Sequence, residues 1–192
     1  MKYLIVGLGN VGNEYAHTRH NIGFDVVNAF VQKHGGSFRT DRLAFVSEIK
    51  WKGKQYFCIC PTTYMNLSGK AVKYWMDKEN IPLEQVLVIV DDLALPIDQL
   101  RLRSSGSDAG HNGLRSLQDT LGSTQYARLR FGIGNDFPKG MQADFVLSKW
   151  KKAEEPIVQL KIEASVGVIE QVFQQGIAPV MSQLNNQRYG AS

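Results

Sequence analysis

Cysteine is scarce in this chain of 192 residues. The two cysteines, Cys58 and Cys60, alternate along a predicted strand and therefore face the same side of it. No further cysteine is present to complete a thiolate ligand set, so we interpret the pair as buried, reduced thiols. Reduced thiols predict a cytoplasmic location.

Long hydrophobic runs are also absent. No segment approaches the roughly 18 apolar residues of a membrane-spanning helix, and no signal peptide is evident before the first strand. The sequence contains no internal repeat, no low-complexity segment and no Gly-x-Ser-x-Gly turn of the kind that serine hydrolases use. These absences argue against a membrane protein, a repeat protein and a serine hydrolase.

The composition is that of a folded protein with a mild basic excess. Hydrophobic residues make up 43% of the chain and charged residues 21%, and the length suits one domain with a large core. A net charge of +4 is weak evidence for nucleic-acid binding. The distribution of charge says more, because five arginines stand against two aspartates between Gln99 and Arg130.

Strand-like and helix-like patterns alternate along the chain. Short apolar or alternating segments predict strands at 3–6, 45–50, 56–60, 86–90, 99–103 and 128–131. Helical periodicity is found at 21–34, after 69, at 114–121 and at about 154–175. We therefore predict an α/β fold, a single-domain three-layer sandwich over residues 1–184 with helices on both faces of a mixed, twisted sheet. Residues 185–192 are polar and are expected to fray.

The first strand leads into the glycine pattern Gly7-x-Gly9-x-x-Gly12. A dinucleotide-binding fingerprint needs a helix that starts at the last glycine and an acid about 20 residues further on. The residues after Gly12 lack a helical apolar stripe, and the expected acid is missing. This pattern therefore does not indicate a nucleotide site.

Polar side chains stand in loops next to strand or helix ends, and Asp91 follows a buried strand. The loop residues are Asn10, His20, Met65, Asn66, His111 and Asn112. Strand ends of one sheet converge in space, so we expect these residues to lie close together.

Two chemistries fit these residues. One is acyl-bond hydrolysis by water, with His20 as general base and Asp91 fixing its tautomer.

The other chemistry is that of a metallohydrolase. Its ligands would be His17, His20, Asp91, Asp92 and His111. The spacing of these residues matches no established metal motif, which favours the first reading.

Several motifs together resemble the bacterial-type peptidyl-tRNA hydrolases. They are GLGNVGNEYAHTRHN at 7–21, PTTYMNLSG at 61–69, DDL at 91–93, GHNGL at 110–114, RLRFGIG at 128–134 and FVL at 145–147. The resemblance covers nearly the whole chain, in order and at matching spacing. It implies an α/β sandwich that cleaves the ester between a peptide and the 3′ end of tRNA without a metal or another cofactor.

The resemblance also assigns roles to residues. His20, Asp91 and Asn10 match catalytic positions, and Arg103 and Arg130 match positions that face the tRNA. Five further residues match the cleft that binds the peptidyl-adenosine end: Tyr15, Met65, Asn66, His111 and Asn112. The implied partner is peptidyl-tRNA, bound through its acceptor stem, its 3′ CCA end and its nascent peptide. Residues 135–150 match a mobile lid, and we expect a monomer.

Two positions depart from the family pattern. Ala94 stands where an acid is usual, and Ala109 replaces a usual glycine before Gly110, which bears on the backbone geometry of that loop.

A second class of function also stays open, a non-catalytic RNA-binding protein on the same fold. A pure binder would not need the complete set of Asn10, His20 and Asp91.

Overall fold

The computed structural model describes residues 1–190, which form seven strands and six α-helices. The strands are β1 (Lys2–Gly7), β2 (Arg39–Asp41), β3 (Ala44–Trp51), β4 (Lys54–Pro61), β5 (Val86–Asp92), β6 (Leu100–Arg103) and β7 (Ala127–Gly132). The helices are α1 (Ile22–Lys33), α2 (Ser68–Glu79), α3 (Asn112–Leu121), α4 (Gln142–Val146), α5 (Glu155–Gln175) and α6 (Ile177–Leu184). Each predicted strand and helix is present; β2, α4 and α6 were not predicted from the sequence.

The strands form one mixed sheet in the order β2-β3-β4-β1-β5-β7-β6. Strands β4, β1, β5 and β7 pair in parallel. Strand β3 pairs antiparallel with β4, β6 pairs antiparallel with β7, and β2 pairs antiparallel with β3. The four parallel strands end at the same edge of the sheet, where open α/β folds hold their ligands. Asp91 and Asp92 lie at this edge because they end the buried strand β5.

Both faces of the sheet are covered, which explains why β1 is apolar at successive positions. Tyr3 and Ile5 pack into a core with α1, α5 and α6. Leu4 and Val6 face the opposite core, which contains side chains of α2 and α3. The three-layer α/β sandwich is therefore confirmed.

The cysteines lie on one face of β4, as predicted. Cys58 and Cys60 are buried, unbonded and part of the same core. Burial raises the pKa of both thiols, which keeps them protonated near neutral pH.

Strand β1 and helix α1 approach closely through two glycines. A Cβ atom at Gly7 would collide with the backbone oxygen of Gly23, so only glycine allows this packing. The contact brings the turn before α1 to the edge where β1 ends.

The C-terminal segment makes specific contacts as far as Tyr189. The Asn185 side chain accepts from Leu102 N (2.8 Å) and donates to Leu102 O (3.0 Å), so it pairs with the outer edge of β6. Tyr189 N donates to Asp98 O at 2.9 Å. These contacts link Asn185 and Tyr189 to β6 and to the loop before it, while the fraying of 185–192 stays a prediction; residues 191–192 lie outside the described part of the chain. Within residues 1–190, none of the helices combines the length and the apolar character needed to cross a bilayer.

Candidate active site

A cavity of about 890 Å³ opens at the carboxyl edge of the parallel strands. Most of the sequence-predicted site residues line it: Asn10, His20, Met65, Asn66, Asp91, His111, Asn112 and Arg130. The expectation that strand-end loops converge is therefore correct for these residues. Tyr15 and Arg103 do not line the cavity.

His20 and Asp91 form a direct pair inside the cavity. His20 lies in a short 3-10 turn, Arg19–Asn21, and its Nδ1 is 2.9 Å from Asp91 Oδ2. The Asp91 side chain is only 3% exposed. Burial lowers the pKa of His20, but the charge of Asp91 and its hydrogen bond outweigh burial and leave that pKa raised.

His111 contacts the second oxygen of the same carboxylate. Its Nε2 is 2.8 Å from Asp91 Oδ1, while its Nδ1 accepts from the N–H groups of Gly113 (3.1 Å) and Leu114 (3.4 Å) at the start of α3. Because Nδ1 accepts, the proton of the neutral ring lies on Nε2 and points at Asp91. Burial would raise the pKa of Asp91, but the charges and hydrogen bonds of His111 and His20 hold it well below its usual range.

Asp92 has different partners. Its Oδ1 accepts from Ala94 N at 2.8 Å, and its Oδ2 lies 3.7 Å from Arg130 Nη1. Successive side chains of a strand point to opposite sides, which explains why Asp91 alone reaches the histidines.

Asn10 is held by both its backbone and its side chain. Asn21 accepts from Asn10 N (2.8 Å) and donates to Asn10 O (2.9 Å), and Asn10 Oδ1 accepts from Met65 N at 2.8 Å. The acceptor role of Oδ1 orients the amide and leaves its Nδ2 group available as a donor. Asn21, which is buried, is a site residue that sequence reasoning missed; its place beside His20 in the 7–21 motif was the available signal.

Further residues of the cavity wall were also missed. They include Tyr64, Asn135, Phe137, Gln142, Ala143, Val146 and Leu147. All but Tyr64 fall in the segment expected to be a lid, whose mobility stays a prediction.

Ala109 lines the cavity with a φ of 52°, a left-handed conformation that costs an alanine about 1–2 kcal/mol. The loop therefore keeps a backbone suited to glycine despite the substitution.

Arginines of β6 and β7 lie opposite one another across the two strands. Arg101 lies opposite Arg130, and Arg103 lies opposite Arg128. Arg130 reaches the cavity and donates to Ser107 O at 3.0 Å. Arg128 cannot reach a ligand in the same way, because it is only 1% exposed. It donates to backbone carbonyls of the protein instead.

The metal-ligand set expected for a metallohydrolase is not assembled as a whole. His17 is exposed and contacts Asp25 at 3.0 Å, because its loop turns it away from the cavity. Within residues 1–190, His20, Asp91 and His111 do place potential ligand atoms within 4.8 Å of one another. A metal at this site would have to replace the direct contacts between the imidazoles and the carboxylate.

Comparison with known proteins agrees with this geometry. The family model for peptidyl-tRNA hydrolase matches residues 4–191. The peptidyl-tRNA hydrolase of Bacteroides fragilis is 53% identical over 185 residues, which are 96% of this chain and 99% of that protein. The corresponding protein of Phocaeicola vulgatus is 51% identical with the same coverage.

A solved structure supports the same relationship. The crystal structure of peptidyl-tRNA hydrolase from Acinetobacter baumannii superposes with a TM-score of 0.91 at 32% identity, covering 97% of this chain and 95% of that one. Sequence and fold agree over almost the full length, and the chain therefore belongs to the peptidyl-tRNA hydrolase family of enzymes.

Proposed function

We propose that this protein hydrolyses the ester bond between the peptide and the tRNA of peptidyl-tRNA, with water activated by His20. The observation that carries the proposal is the 2.9 Å contact between His20 Nδ1 and Asp91 Oδ2 in the cavity. The contact directs the Nδ1 proton to the carboxylate, which leaves the lone pair of Nε2 as the base.

The proton movements follow from this tautomer. His20 Nε2 takes a proton from water as the water oxygen attacks the ester carbonyl, and the negative charge of Asp91 stabilises the imidazolium that forms. The imidazolium then returns a proton to the departing ribose oxygen of the tRNA. Water supplies the hydroxyl group of the released peptide, so the products are a free carboxylic acid and a free tRNA.

Amide side chains of the cavity supply donors for the oxygen that becomes negative in the transition state. Asn10 Nδ2 suits this role because Oδ1 is already used by Met65 N. Asn66 and Asn112 line the same cavity and can donate to the peptide or the terminal adenosine. Preorganised neutral donors of this kind stabilise an oxyanion without a metal.

Two arginines suit the phosphates of the acceptor stem. Arg130 lines the cavity, and Arg103 lies on the neighbouring strand β6 outside it. Because one arginine lies at the cavity and the other outside it, Arg130 suits phosphates near the CCA end, and Arg103 suits phosphates further along the acceptor stem.

The test is release of the acyl group from an N-acylated aminoacyl-tRNA, measured with and without EDTA. We expect full activity in EDTA and a loss of roughly 10²–10⁴-fold in His20→Ala. A normal circular dichroism spectrum of the variant would show that its fold is retained.

Two other outcomes would replace the proposal. Activity that EDTA abolishes and zinc restores would favour a metal held by His20, Asp91 and His111. Binding of the tRNA without any hydrolysis would indicate a non-catalytic RNA-binding protein.

A further inference from the structure

Arg19 precedes His20 in the same turn, yet its side chain is buried among residues far along the chain. It is 1% exposed. Its Nη1 donates to Ser148 Oγ and to Lys149 O, both at 2.5 Å, and its Nη2 donates to Glu154 Oε1 at 2.7 Å. One guanidinium therefore contacts three positions of the segment that leads into α5.

Aromatic rings cover the same guanidinium. The Arg19 Cζ atom lies 4.4 Å from the ring centre of Phe145 and 5.2 Å from that of Trp150. The backbone adds a further link, because Arg19 N donates to Ser148 O at 3.0 Å. A planar, delocalised cation can make the forked hydrogen bonds and the stacking at once, which a lysine cannot.

The segment that Arg19 holds is continuous with a wall of the cavity. We name residues 135–147 the wall segment; Gln142, Ala143, Val146 and Leu147 within it line the cavity. Phe145, on which Arg19 stacks, belongs to the same helix α4. The Arg19 side chain thus joins the turn that carries His20 to the wall segment, in addition to the backbone link at Ser148.

We infer that Arg19 is a positioning residue that fixes the wall segment relative to His20 and so determines how tightly the acyl-adenosine end binds in the cavity. The inference rests on the proposed function for its substrate. Arg19 takes no part in proton transfer, because its guanidinium contacts the 145–154 region and not the His20–Asp91 pair.

The test compares Arg19→Lys with the unaltered protein on peptidyl-tRNA. If the wall contacts ground state and transition state alike, KM should rise by about tenfold while kcat stays within about twofold. The acidic limb of the pH profile should not move, since the partners of His20 are unchanged. Hydrogen exchange should become faster at the amides of residues 142–150.

Val31→Ala is the control for lost stability. Val31 is buried in α1 and does not line the cavity, so its truncation should lower the melting temperature without changing KM. An Arg19→Lys variant that loses melting temperature alone, as this control does, would refute the inference. A fall in kcat with unchanged KM, or a shifted acidic limb, would refute it as well.

Failure of the inference and failure of the proposed function are distinguishable. If the unaltered protein does not cleave peptidyl-tRNA, the proposed function is wrong, whatever Arg19→Lys does. Hydrogen exchange still tests the anchoring in that case, because it needs no substrate. Unchanged exchange at 142–150 in Arg19→Lys would show that Arg19 does not hold the wall segment.

Discussion

His111 Nε2 lies 2.8 Å from Asp91 Oδ1, on the carboxylate oxygen that His20 does not use. One buried carboxylate therefore accepts from two imidazoles, and the rings of the two histidines lie 5.1 Å apart. The N–H groups at the start of α3 donate to His111 Nδ1 and so fix its tautomer. The position of α3 therefore determines that His111 donates its proton to the Asp91 carboxylate.

His111→Asn separates these two roles. Asparagine can still accept the α3 N–H groups as an N-cap, but it is too short to keep the contact with Asp91. We expect kcat to fall by about tenfold, which corresponds to the loss of one hydrogen bond, with little change in melting temperature. His111→Ala should in addition lose about 1 kcal/mol of stability. A rise in KM with unchanged kcat would instead assign His111 to substrate binding.

Asp91→Asn should cut kcat sharply and leave substrate binding largely intact. The charge and hydrogen bond of Asp91 raise the pKa of His20 against the effect of burial, so their loss should lower that pKa. In the proposed mechanism His20 must be neutral to act as the base, and the acidic limb of kcat/KM should therefore move to lower pH. Steady-state kinetics across pH 5 to 8 measure both effects.

Asp92→Asn is the matched control for this pair. Asp92 contacts Ala94 N and lies near Arg130, not His20, so the variant should show neither effect. Greater damage from Asp92→Asn than from Asp91→Asn would mean that the partner of His20 is wrongly assigned.

Arg103→Glu should raise KM for peptidyl-tRNA and reduce the magnitude of its salt slope by about one, as expected for one lost phosphate contact. A short peptidyl-nucleotide substrate should be affected much less. Arg39 lies on strand β2 at the opposite edge of the sheet, so Arg39→Glu should leave KM unchanged for both substrates. An equal rise in KM for peptidyl-tRNA and for the short substrate would mean that Arg103 acts on the cavity or on the stability of the fold, and not on the tRNA.

Lys161 should make stability depend on pH. Its ammonium is fully buried, donates to Ile97 O (2.7 Å) and Gly132 O (2.6 Å), and has a pKa that burial lowers to about 7 although Asp98 opposes the shift. Above pH 7 the unfolded chain binds a proton at Lys161 that the folded chain releases. The unfolding free energy should therefore rise with pH, by up to about 1.4 kcal/mol per unit.

Urea unfolding of the unaltered protein and of Lys161→Met from pH 6 to 8.5 checks this prediction. The difference between the two free energies isolates Lys161, because groups such as His20 and Cys58 titrate in both proteins. Lys70→Met, which removes an exposed lysine of α2, should not alter the pH dependence. A constant difference between the unaltered protein and Lys161→Met would show that Lys161 keeps its proton throughout.

The sequence by itself determined the layers of the fold and the edge of the sheet where the site lies. Apolar strands such as Val86–Val90 need cover on both faces, and the residue that follows such a strand must emerge at its end. Local pattern therefore sufficed to place Asp91 and Asp92 at this edge and to predict that their side chains point apart. The resemblance chose Asp91 as the partner of His20. The resemblance to a family, not periodicity, chose among the chemistries that His20 and Asp91 allow.

Only the tertiary structure decided which polar residues touch. Asn21 holds the Asn10 backbone, His111 shares Asp91 with His20, and Arg19 contacts residues about 130 positions away in the sequence. His17 and His20 are three residues apart, yet only His20 enters the cavity, because the turn between them sends their side chains apart. Such contacts depend on how helices and loops pack against the sheet, and short-range sequence patterns carry no information about that packing.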